Sequence, residues 1–216
     1  MSTPGSANTN PMLRYAITDR ARFKGDEPAR QSALLAQAER LAAAGIDFLQ
    51  LRETDLPADQ LASLTRRLLA ILRAHHPAPK LLINSRADVA IATCADGVHL
   101  TSDPGQITPA QIRSLYAAAS LPEPVVSLSS HTLDEVARVA ASAPNDRPTL
   151  ILFGPVFEKV VDEKLIASGT GLDLLRAACL AASPIPVLAL GGITAENTDA
   201  TLIAGAAGIA AIRLLL

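Results

Sequence analysis

The 216-residue sequence has no tryptophan, and aromatic residues make up only 3% of it. Its apolar half must therefore be built from small and aliphatic side chains. Ala and Leu dominate, as in folds where many helices pack on a buried sheet. Charge of one sign is also lacking: 19 Lys and Arg face 21 Asp and Glu, for a net charge of −2. Nothing in that balance points to nucleic acid. No apolar run is long enough to span a bilayer, so no membrane association is expected. Only two cysteines occur, Cys94 and Cys179. Lying far apart in Ala-rich stretches, they read as small core residues in a reducing, cytoplasmic setting rather than as a disulfide. The opening "MSTPGSANTNP" lacks an apolar signal-peptide core, so residues 1–11 read as a disordered tail. Residues 12–216 suit a single domain.

Past the tail, eight short apolar runs alternate with seven helical patterns. The runs are 13–18, 46–52, 80–84, 96–101, 124–129, 149–154, 186–191 and 208–215. Strands covered on both faces read as near-continuous apolar stretches. Strand–helix alternation implies a parallel sheet with right-handed crossovers. Eight units in this length point to a (β/α)₈ TIM barrel, with the last helix short or missing because the sequence stops just after the eighth run. No GxGxxG follows the first run, which weighs against a doubly wound sheet. A second copy of the chain, as a homodimer, could cover the gap.

Polar residues at the carboxyl ends of these runs would gather at the catalytic face of such a barrel. In "LQLRETD", Gln50 and Arg52 share one face of the second strand and would point inward. Asn84, Ser85 and Arg86 end the third run. His99, Thr101 and Asp103 end the fourth, and Ser127, Ser129, Ser130 and His131 the fifth. Each residue alone could be a helix cap or a turn; their convergence suggests a site. Gly169, Gly171, Gly191 and Gly192 would let backbone amides approach a phosphate, and Arg213 could add positive charge. The segment after the sixth run has no clear periodicity and reads as a lid or binding loop, carrying Lys159 and Lys164. His131 is the best acid/base candidate, because imidazole can both take and give a proton. The histidines are too scattered for a zinc site.

The ordered set "YAITDR", "LQLRETD", "LLINSRADVAI", "ADGVHL", "SSHTLDEV", "LFGPVFEK" and "PVLALGGIT" resembles the thiamine phosphate synthase superfamily, including its thiazole tautomerase branch. The resemblance implies a (β/α)₈ barrel. In the synthase proper it implies Mg²⁺-dependent coupling of a pyrimidine pyrophosphate to a thiazole phosphate. Three motif positions depart from that pattern. Thr54 stands where the Q-L-R-E-K motif has Lys. Ser85 stands where N-D-R has a magnesium-binding Asp, leaving Asp103 as the other candidate ligand. Glu158 to Val161 replace the Thr-rich loop. Hard Mg²⁺ prefers carboxylate oxygens. The tautomerase branch lacks these features and moves a double bond in a thiazole carboxylate phosphate by proton transfer.

The reading put first is therefore a cofactor-free isomerase acting on a small phosphate substrate. His131 would be its acid/base. Gln50, Arg52, Asn84, Ser129, Lys164, Gly171, Gly191, Gly192 and Arg213 would bind substrate, and no residue would bind metal. A divergent synthase, needing Mg²⁺, and a catalytically silent metabolite-binding barrel are the alternatives.

Overall fold

The computed structural model describes residues 11–103, 105–161 and 164–212, so all of the amino-terminal tail but Pro11 lies outside the described residues. Eight parallel strands close into a barrel: β1 (Leu13–Ile17), β2 (Phe48–Leu51), β3 (Lys80–Asn84), β4 (Gly97–Leu100), β5 (Val125–Ser130), β6 (Leu150–Phe153), β9 (Val187–Leu190) and β10 (Gly208–Ala211). Closure is made by β1 and β10, with Leu13 opposite Gly208. Seven helices follow in alternation: α1 (Glu27–Ala43), α2 (Ala58–Leu72), α3 (Ala87–Thr93), α4 (Pro109–Ala118), α5 (Leu133–Ala141), α6 (Leu172–Ala182) and α7 (Ala195–Ile203). Among the described residues no helix follows β10, and none is long and apolar enough to cross a membrane.

Helix starts follow capping chemistry. The Asp26 carboxylate accepts the Ala29 amide at 3.0 Å ahead of α1. Thr108 opens α4 and Thr132 opens α5, each in a reciprocal box with the residue three positions on, Gln111 and Glu135.

Side chains alternate across each strand, which divides the apolar residues into layers. Tyr15, Ile17, Leu82, Leu150, Leu152, Leu188 and Ala210 form the cluster inside the barrel. Outward residues such as Leu49, Leu51, Leu81, Ile83 and Val98 pack with α1 and α2. Val187 and Ala189 pack with α6.

Two expectations are corrected. The segment after the sixth barrel strand is not irregular throughout: β7 (Lys159–Val161) and β8 (Lys164–Ala167) pair antiparallel as a hairpin. Cys94 is not a core residue. It is exposed and caps α3 in the left-handed region at φ 54°. Cys179 is half-buried, and burial raises its thiol to about 11.

Candidate active site at the carboxyl-terminal rim

The upper interior of the barrel is polar on one side only. Strands β2 to β5 contribute Gln50, Asn84, His99, Ser127 and Ser129, whereas β6, β9 and β10 contribute Leu152, Leu188 and Ala210. The register sets Asn84 opposite His99 and His99 opposite Ser127, so these side chains share a level. They are joined by hydrogen bonds. Gln50 Nε2 donates to Asn84 Oδ1 at 2.8 Å, and Tyr15 Oη donates to Gln50 Oε1 at 3.2 Å. Tyr15 Oη and Ser127 Oγ are 2.9 Å apart. His99 meets Ser127 Oγ through Nδ1 at 2.8 Å and Ser129 Oγ through Nε2 at 3.0 Å. Burial, with a smaller contribution from the Arg52 charge, pushes His99 down to about 3, so its ring is neutral. Burial likewise raises the Tyr15 phenol.

Arg52 lies one residue beyond β2, exposed, with no ion-pair partner among the described residues. Its neighbours on the other face are held firmly. The buried Arg20 guanidinium bonds the buried Glu53 at 3.0 Å, Asp55 at 2.6 and 2.8 Å, and Glu27 at 2.8 Å. Thr18 Oγ1 donates to Glu53 at 2.6 Å and accepts the Arg52 amide at 3.0 Å. The alternation of "LRETD" thus separates two tasks. Glu53 and Asp55 tie the loop to Arg20, and Arg52 is left facing solvent at the rim. An arginine at this strand end serves a rim, not a core.

His131 lies one residue beyond β5 and is exposed. Its Nδ1 lies 2.6 Å from the Gly154 carbonyl oxygen. A carbonyl only accepts, so Nδ1 carries a proton, and Nε2 has no hydrogen-bond partner among the described residues. Its backbone amide donates to Glu135 at 2.5 Å, the same carboxylate that caps α5. Gly154 can hold this position because a Cβ there would lie 2.0 Å from the Leu190 carbonyl oxygen.

The glycines divide. Gly191 and Gly192 follow β9; Gly192 has φ +65°, and a Cβ there would lie 2.7 Å from Glu158 O. Gly171 caps α6, but its amide donates to Val156 O at 2.9 Å. It therefore offers no free amide to a phosphate, and the open donors of that helix lie in the turn after it. Lys164 falls on β8, and Arg213 lies outside the described residues. Sequence reasoning gathered His99 and Ser127 at the rim without giving either a role, and it missed Tyr15. A buried tyrosine's need for a hydrogen-bond partner was the available signal. A separate cleft between α4 and α5 carries Asp103, Glu135 and Asp146 against Arg138, which suits an anion poorly.

A family model described as thiamine monophosphate synthase matches residues 14–215. The chain belongs to that family. It is 36% identical over 202 residues to a putative thiamine-phosphate synthase of Geobacter sulfurreducens, covering 94% of this chain and 85% of that protein. It is 35% identical over 205 residues to the thiamine-phosphate synthase of Koribacter versatilis, covering 94% and 88%. The thiamine phosphate pyrophosphorylase structure from Pyrococcus furiosus superposes with TM-score 0.70 at 26% identity, covering 93% and 85%.

Within this thiamine monophosphate synthase family barrel, the residues present do not fit Mg²⁺. Ser85, at φ 55°, occupies the position of the motif's aspartate. The Asp103 carboxylate accepts the Thr101 hydroxyl at 2.9 Å. Arg86 is paired with Asp88 at 2.6 Å. Among the described residues no three His, Cys, Asp or Glu side chains are grouped to hold a metal.

Proposed function

We propose that this chain is an enzyme of thiamine biosynthesis that binds a thiazole carboxylate phosphate at the rim and isomerises it by proton transfer. One observation carries this reading. The His131 ring is fixed through Nδ1 on Gly154 O, with Nε2 free at the rim, while the position that would hold a metal-binding carboxylate is Ser85. Nε2 takes a proton from one ring position, and the resulting imidazolium returns a proton to the other end of the shifted double bond. Arg52, free of a carboxylate partner among the described residues, can donate two parallel hydrogen bonds to the substrate carboxylate. The phosphate falls to Gly191, Gly192 and the first turn of α6.

The names of the relatives favour a second reading: condensation of a pyrimidine pyrophosphate with a thiazole phosphate, as in thiamine-phosphate synthases. In that case Arg52 would face the departing pyrophosphate. The assay offers purified protein the thiazole carboxylate phosphate without added metal, and separately both synthase substrates with Mg²⁺. Isomerisation lost in His131→Asn is the expected result. Formation of thiamine phosphate would replace it with the second reading. Silence in both, with ligand still bound, would mark a binding barrel.

A further inference from the structure

The polar chain inside the barrel has a direction, and that direction reaches the rim. Each hydroxyl has one proton, and a neutral imidazole has one N–H. The Gln50 amide donates to Asn84 Oδ1, so its oxygen receives the Tyr15 hydroxyl. With that proton committed, Tyr15 Oη can only accept from Ser127. Ser127 Oγ, its own proton committed in turn, accepts from His99 Nδ1–H. The remaining nitrogen, Nε2, has a lone pair and accepts from Ser129. Every step follows from the orientation of one amide.

We propose that His99 is a positioning residue: held as the Nδ1–H tautomer in this one-way chain, it binds the Ser129 hydroxyl proton and turns Ser129 Oγ towards the rim as an acceptor only. Ser129 then suits a ligand group that donates, such as a ring N–H or an amine, and disfavours a carboxylate or phosphate oxygen. This refines the expectation that Ser129 binds substrate: it takes a donating group, and the carboxylate falls to Arg52. The inference rests on the rim being the ligand site, not on which of the two reactions runs there.

The test begins with ligand-free, ¹⁵N-labelled protein and so does not depend on any activity. Two-bond ¹H–¹⁵N correlation at neutral pH is expected to show Nδ1–H and a bare Nε2 for His99. The Nε2–H tautomer, or an imidazolium, would overturn the proposal. Tyr15→Phe removes the acceptor for Ser127, so Ser127 can then donate to His99 and release the lock; it also removes the donor to Gln50 Oε1, so the His99 tautomer is read alongside turnover. That variant should show mixed His99 tautomers. Whichever reaction the wild type shows should slow roughly fivefold, the worth of one neutral hydrogen bond. Mixed tautomers with unchanged turnover would reduce the chain to a structural feature and sink the positioning role. If the wild type shows neither reaction, the wild-type spectrum still decides the polarity.

Discussion

Two arginines, Arg20 just beyond β1 and Arg52 just beyond β2, show how burial divides roles. Arg20 is 6% exposed and meets three carboxylates, one of which, Glu53, is itself 5% exposed. Taking one member from a buried pair leaves the other charge without compensation, at about 3–5 kcal/mol. Arg20→Ala should therefore lower the urea midpoint markedly. Arg52→Ala removes an exposed guanidinium with no ion-pair partner among the described residues, so stability should move by no more than about 0.5 kcal/mol. Its loss should appear in turnover instead: a charge-assisted contact of about 2–3 kcal/mol corresponds to a fall in kcat/KM of roughly 30–150-fold. Urea melts and steady-state kinetics on the two variants test the separation. Equal effects on stability would contradict it.

At the scale of elements, the site depends on how α5 begins. Thr132 caps the helix, and Glu135 returns to the amides of Thr132 and His131, so one capping box also orients the proposed acid/base. Thr132→Ala should lower stability by about 1 kcal/mol, measured by thermal melts. It should also slow the reaction by more than that loss explains, because the Glu135 grip on His131 loosens. The box was legible in "SSHTLDEV" only as a helix start; its hold on His131 requires the backbone path. Long elements were legible throughout, since apolar runs flanked by helical periods leave few alternatives to a parallel barrel. The hairpin of β7 and β8 was not. Strands of three and four residues, each opened by a lysine, are too short for a two-residue period to register.

For the whole molecule, the interior polar chain shows both what a sequence can reveal and what it cannot. Gln50, Asn84 and Ser129 were readable as inward, strand-end groups. Their union through Tyr15 and His99 depends on the shear of the closed barrel, which sets partners across strands. That burial has a consequence for acid stability. Unfolded, His99 takes a proton below its ordinary value of 6.5; folded, it does so only near 3. Between those values the unfolded chain binds one more proton, so stability rises with pH and falls as acid is added, by up to about 1.4 kcal/mol per pH unit. The carboxyls of Glu27 and Asp55, beside Arg20, and of Asp88, beside Arg86, are also held below their usual range. Their contribution is present above the carboxylate range and is lost only as pH falls through it. It is small, since Asp55 and Asp88 are 70% and 63% exposed. His99 therefore governs the interval from about pH 6 to 4.5. Urea unfolding of the wild type across that interval should give a sloping profile, and His99→Gln, which cannot titrate, should give a flatter one. The comparison reads slope rather than height, so any uniform loss of stability in the variant does not obscure it. An unchanged slope would mean that the His99 ring takes up its proton in the folded barrel.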